Sequence, residues 1–265
     1  MEGIMRAFGL TALALLLAAP ALAAAAPDAR VAASGPADVA AAVSGPGRPD
    51  DQVKLDAVRK PVEILKFGGL RRGDIALDLF AGGGYYTEIM AKAVGPRGGV
   101  LAWEPAGFLN DKARAGWADL RKRAPNAGLI MVSSSAFTLP RDAFDFVMIH
   151  LNYHDVYWQS AKYGYGPLDP NAFLRTVYDS MKPGAAIEVV DHVAAPGGEV
   201  RDVVEKLHRI DPAVVKADFK RAGFVLDGES SLLRNPADDH TKLVFDPSIR
   251  GNTDRIVYRF RKPRK

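Results

Sequence analysis

Residues 75–91, IALDLFAGGGYYTEIMA, constrain the fold more than any other part of the chain. Ile75, Ala76, Leu77 and Leu79 make an apolar run of the length of a buried strand. Gly82, Gly83 and Gly84 follow. Without a Cβ they can turn at positive φ and let backbone N–H groups come close to a ligand. Residues 85–94 then place apolar groups at helical spacing until Gly95-Pro96 ends the run. A strand that turns through glycine into a helix is the repeating unit of an α/β sheet, and that turn is where a nucleotide-like ligand sits.

The unit repeats. Apolar segments at 99–104, 129–132, 144–149 and 185–190 alternate with helical ones, which predicts a parallel sheet covered by helices on both faces. After a helix near 213–222, residues 223–228 and 254–260 read as a final strand pair. The expected architecture is a Rossmann-like α/β fold of seven strands, mostly parallel with an antiparallel end strand. The connection over 229–253 is long for a hairpin and rich in turn formers, so an ordered excursion packed near the site is expected there. Upstream, Asp50 or Asp51 caps a predicted helix with Val53, Ala57, Val58, Val62 and Leu65 on one side, kinked by Pro61.

The glycines do not fit a dinucleotide fingerprint. G-x-G-x-x-G needs a third glycine, and counting from Gly82 the sixth residue is Thr87. The chain instead has Asp78-x-x-x-Gly82-x-Gly84, which resembles motif I of the class I S-adenosylmethionine (SAM) dependent methyltransferases, with Phe80 where a glycine is common. SAM carries an ammonium and no pyrophosphate, so an acid beside the loop suits it. Asp78, Ala81, Gly82 and Gly84 are the candidate cofactor residues of the loop. Glu104 ends the next strand about twenty residues on, where a carboxylate accepts from ribose hydroxyls. After the third strand many relatives place an acid against the adenine amino group. Here serines stand instead, and Ser135 with the Ala136 or Phe137 backbone takes that position.

GGGYYT at 82–87, LNYHD at 151–155, HRID at 208–211, and NPADDHT with FDPSIRG resemble a group of exported class I methyltransferases of bacteria. The resemblance covers nearly the whole mature chain and implies the fold, SAM as cofactor and methyl transfer; it supplies no substrate.

Ligands of open α/β sheets bind outside the carboxyl ends of the strands. The fourth strand runs into His150-Leu-Asn-Tyr-His-Asp155 and the fifth into Asp191-His192, so three of the five histidines fall on one rim. His154 is the candidate base, with Asp155 or Asp191 fixing its tautomer and His192 competing for the role. Asn152 and Tyr153 are expected to position the acceptor, and His150 is expected to be a strand-end histidine bonded to backbone. Tyr153, Tyr157, Trp158, Tyr163 and Tyr165 form an aromatic segment suited to a lid. Five possible metal ligands lie here, but no compact ligand motif does, so the expected site is metal-free.

Arg6 ahead of the apolar run 7–19, then Ala21-Leu22-Ala23, reads as a secretory signal peptide over 1–23. Residues 24–49, rich in Ala, Gly and Pro, read as a flexible linker, with one catalytic domain over 50–265. The expected location is periplasmic or secreted, with no lasting membrane insertion. The chain has no cysteine, which excludes a lipobox anchor, disulfides and thiolate chemistry, including that of the DNA cytosine methyltransferases that DLFAG brings to mind. Much of the +4 charge lies in the basic end 259–265, with no nucleic-acid motif beside it. The expected partner is a small or medium-sized acceptor methylated on oxygen or nitrogen, and the oligomeric state stays open. Because SAM is made inside the cell, an exported chain of this kind has an alternative: a non-enzymatic envelope ligand-binding protein on a methyltransferase fold.

Overall fold

The computed structural model describes residues 35–264. The expected signal peptide, and residues 24–34 of the expected linker, lie outside them. Among the described residues no helix is long and apolar enough to cross a membrane.

Seven strands form one sheet in the order β3-β2-β1-β4-β5-β7-β6. They are β1 Ile75–Leu79, β2 Gly99–Trp103, β3 Ala127–Ile130, β4 Phe144–His150, β5 Met181–His192, β6 Val225–Glu229 and β7 Arg255–Arg261. The first five run parallel, while β7 is antiparallel to both β5 and β6. Strand β1 pairs with β2 on one side and β4 on the other, so the chain direction across the sheet reverses at β1. That reversal opens a crevice at the carboxyl ends of β1 and β4.

Alternate residues of each strand feed two separate cores, as the period of two requires. Ala76, Met148 and Val190 face one side with helix Tyr85–Val94; Leu77, Val147 and Val189 face the other with helices Pro170–Ser180 and Pro212–Arg221. Burial on both faces explains why these strands read as nearly continuous apolar runs.

Two expectations upstream of the sheet are corrected. Val39–Ser44, inside the expected linker, is a helix capped by Asp38, with Val39 and Ala42 buried against the helices that follow. The single kinked helix is three short ones, Asp50–Val53, Asp56–Arg59 and Pro61–Gly68. Pro61 does not kink a helix but starts one at its first position, and Lys60 before it turns left-handed (φ +47°). Neither Asp50 nor Asp51 caps; Pro49 holds that position.

Glu188 sits at the centre of β5 with no exposed surface and, among the described residues, no hydrogen-bond partner for either carboxylate oxygen. Helix Pro61–Gly68 lies so close that a Cβ on Gly68 would fall on its Oε2. Burial pushes its pKa well above the usual range, with Arg259 pulling weakly the other way. The folded state therefore holds a proton that the unfolded state releases, and stability falls as pH rises from the unfolded carboxyl pKa toward the folded one. Replacing an orphaned buried group by an apolar one of similar shape removes a penalty of about 1–3 kcal/mol. Glu188→Met should raise the denaturation midpoint at pH 7, by an increment that grows between pH 4 and pH 8. An equal or lower midpoint at pH 8 would show that the carboxyl has a partner.

Candidate active site

The glycine turn lies at the sheet reversal. Leaving β1, the backbone is left-handed at Phe80 (φ +56°), Gly82 (φ +55°) and Gly84 (φ +79°), and the helix Tyr85–Val94 begins. Glu104, just past β2, accepts a hydrogen bond from the Gly82 N–H at 2.7 Å. Trp117 Nε1 donates to the Gly82 carbonyl at 3.0 Å and Gln52 to that of Gly83 at 3.2 Å, so side chains hold the loop from both sides. Asp78 accepts from the Thr87 hydroxyl at 2.5 Å. Burial pushes Asp78 up to about 7 against the Thr87 bond and the Arg59 charge. Burial likewise pushes Glu104 to about 7, opposed by the Gly82 N–H and reinforced by Asp78 and Asp155. Two carboxylates here are thus short of cations or donors.

A cavity of ≈ 280 Å³ opens on this loop, lined by Asp78, Ala81, Gly82 and Gly83 and, from the upstream segment, by Asp51, Gln52, Leu55 and Arg59. It adjoins a larger cleft of ≈ 760 Å³ reached by Glu104 and by the ends of β4 and β5. Arg59, Phe80, His150 and Asn152 line both, and so mark where the two meet. Gly84 lines neither: a Cβ there would fall on Leu120 Cδ1 and lie 3.2 Å from Trp117, so this glycine serves helix packing. Ser135 is not brought to either cavity; it is exposed and bonded to Ser133.

Past His150, Leu151 is left-handed (φ +64°), its N–H donating to Val190 at 2.7 Å. For a leucine this costs about 1–3 kcal/mol, held here by the sheet on one side and the turn Tyr153–Val156 on the other. The turn sends its residues different ways. Asn152 reaches the cleft and donates to Asp155 at 2.8 Å. Tyr153 is fully buried with its hydroxyl on Asp218 at 2.8 Å, so the expected acceptor contact is corrected to a core role. Tyr157 shares that aspartate, whereas Trp158, Tyr163 and Tyr165 line the cleft with Phe108.

His154 is gripped by Asp191, which accepts from its backbone N–H at 2.7 Å and pairs with its Nδ1 at 2.8 Å. Its Nε2 stands 3.5 Å from Asp155. Burial opposes a charge on His154, but Asp191 and Asp155 outweigh it and raise the pKa to about 9. A ring that keeps its proton at neutral pH does not serve as a general base there. His192, its Nδ1 2.6 Å from the Thr253 hydroxyl, is pushed the other way, well below the usual range, by burial and then by the His154 charge.

His150 departs most from expectation. It is buried, yet among the described residues neither ring nitrogen has a hydrogen-bond partner, backbone included. Burial and the charges of Arg59 and Arg255 keep it neutral. The sequence reading also passed over Arg59 and His208. The signal for Arg59 was its place in the predicted helix upstream of the glycine turn; His208 lies in the motif HRID. The long connection before β7 is ordered by the buried Arg209–Asp238 pair and brings Val244 and Phe245 to the cleft.

No protein-family model matches the chain. The ubiquinone/menaquinone biosynthesis C-methyltransferase UbiE of Hydrogenovibrio crunogenus is 28% identical over 133 residues, covering 48% of this chain and 45% of that enzyme. The chain thus matches less than half the length of this curated relative. Among solved structures, a SAM-dependent methyltransferase from Aquifex aeolicus superposes with TM-score 0.53 at 18% identity, over 80% of this chain and 99% of that one. The 1,6-didemethyltoxoflavin-N1-methyltransferase of Burkholderia thailandensis superposes with TM-score 0.52 at 14% identity, over 91% of this chain and 92% of that one. The strand order with antiparallel β7, the glycine turn at the sheet reversal and these superpositions identify the chain as having the class I methyltransferase fold.

Proposed function

We propose that this chain is a SAM-dependent methyltransferase acting on oxygen or nitrogen of a small or medium-sized acceptor. The observation that carries the reading is the junction of the two cavities, where the buried, unpartnered His150 sits between a glycine-and-carboxylate cradle and an aromatic-walled cleft. The cradle fits SAM: open space over Gly82 and Gly83 admits close backbone approach, and Asp78 and Glu104 suit a ligand bearing hydroxyls and positive charge. When bound, SAM supplies the electrophilic methyl group. The chain's own residues align the acceptor and exclude water, the main requirement of an in-line displacement. Neutral His150 takes the acceptor's proton on a ring nitrogen, while His154, held between Asp155 and Asp191, does not serve as the base. His192 lines the acceptor side.

Calorimetry with SAM, S-adenosylhomocysteine and NAD tests the cofactor. Saturable binding of the first two and none of NAD is expected; the reverse would sink the reading. Glu104 binds ribose hydroxyls as a carboxylate, and its pKa of about 7 in the free protein means a proton must leave below that pH. SAM affinity should therefore rise with pH and level off above about 7, falling up to about tenfold per unit below it. A flat profile from pH 5.5 to 8 would remove Glu104 from the cofactor site.

Carbon is the competing acceptor atom, because the distant relative from Hydrogenovibrio crunogenus is named a C-methyltransferase. Location in the periplasm rests on residues 1–23 alone; cell fractionation with detection of co-purified SAM or S-adenosylhomocysteine separates an exported enzyme from an exported binding protein.

A further inference from the structure

We propose that His154, Asp155 and His208 form a site for one divalent transition-metal ion in the acceptor cleft, reversing the metal-free expectation. One donor atom from each of the three lies within 4.8 Å of the others. Asp155 Oδ1 stands 3.5 Å from His154 Nε2 and 3.7 Å from His208 Nδ1. Both separations are beyond a hydrogen bond. They are close to the roughly 3.3–3.4 Å between ligands held about 2.0–2.1 Å from a shared tetrahedral ion. The other oxygen of Asp155 is already bonded to Asn152, which leaves Oδ1 to face the two rings.

The surroundings match those of a metal-bound histidine. Asp191 holds Nδ1 of His154 at 2.8 Å and its backbone N–H at 2.7 Å, turning Nε2 toward the proposed ion, which displaces the proton that the metal-free ring carries there. A carboxylate behind a ligating imidazole fixes the ring and raises its basicity. His208 caps the helix Val200–Leu207 in a left-handed conformation (φ +48°), and its ring packs between Trp158 and Phe245. An uncommon backbone state and two aromatic neighbours thus hold His208 beside Asp155. Two imidazoles and one carboxylate select a borderline ion of the zinc, cobalt or iron class over magnesium or calcium, which prefer all-oxygen shells. All three residues line the cleft, so the coordination positions left open face the acceptor. An acceptor that offers an oxygen to the ion would be held there and made more acidic.

The occupancy of this site does not rest on the methyltransferase reading, and its test uses no SAM. The full chain, free of any affinity tag and stripped with chelator, is titrated with Co²⁺ by visible absorption and with Zn²⁺ by calorimetry. One ion per chain is expected, with the absorption of a cobalt ion in a low-symmetry site. His208→Asn keeps a residue that tolerates the left-handed backbone and removes the ligand, so affinity should fall roughly 100-fold or more. Circular dichroism and a melt of the metal-free variant check folding, and Asp155→Asn replaces it if it fails. No saturable uptake by the native chain, or uptake within threefold of native by the folded variant, overturns the proposal. SAM titration in chelator is read separately: SAM binding without metal uptake would sink this site alone.

Discussion

His150→Ala is expected to lower turnover by about 10²–10⁴-fold, the range for loss of a general base, while SAM affinity changes less than tenfold. The residue stands at the end of β4, where the glycine-loop cavity meets the larger cleft, and both its ring nitrogens are buried without partners. Buried polar groups nearly always have a partner, so two orphans on one ring at a cavity junction mark a place a ligand completes. Two other imidazoles of the cleft are already engaged: His154 by two aspartates, His192 by Thr253. Release of S-adenosylhomocysteine, measured with an acceptor found by screening phenols and amines, reads the effect. Turnover within threefold of native would take His150 out of the chemistry and leave His192 as the proton acceptor. A large loss of SAM affinity would instead make His150 part of the cofactor wall.

What the sequence disclosed and what it hid differ in a physical way. Strand β1, the glycine turn and Glu104 were legible because their signals are local: an apolar run, residues lacking Cβ, and an acid where the next strand stops. The final strand pair was legible for the same reason, within two residues at each end. The roles of the histidines were not, because these depend on what lies across the cleft. His154 reads as a base until Asp191 and Asp155 are both placed against it, and His150 reads as a satisfied core residue until its surroundings prove to hold no partner. His208 joins the site only through the left-handed cap that brings a distant helix end to the turn after β4. Tyr153 shows the converse error: it sits in the right segment, but a tight turn sends its side chain into the core toward Asp218.

Gly84→Val and Gly83→Val should fail for different reasons. The motif alone suggests that a side chain at Gly84 blocks the approach of SAM. In the structure its Cβ would meet Leu120 and Trp117 of the helix Asp111–Arg123, and its φ of +79° suits glycine alone. A β-branched residue there adds about 1–2 kcal/mol of backbone strain, and overpacking adds about 1–3 kcal/mol. Gly84→Val should thus lose roughly 2–5 kcal/mol of stability, a large part of what holds a domain together, and SAM binding with it. Gly83 has nothing within 4 Å of a built Cβ, its φ is not left-handed, and it lines the glycine-loop cavity. Gly83→Val should keep a native-like denaturation midpoint while weakening SAM binding by more than tenfold, since its methyl groups would occupy space that the cofactor needs. Paired melts and titrations of the two variants check this. If Gly83→Val binds SAM like the native chain, the cofactor does not lie over this loop; if Gly84→Val melts like it, the helix must yield more readily than its packing implies.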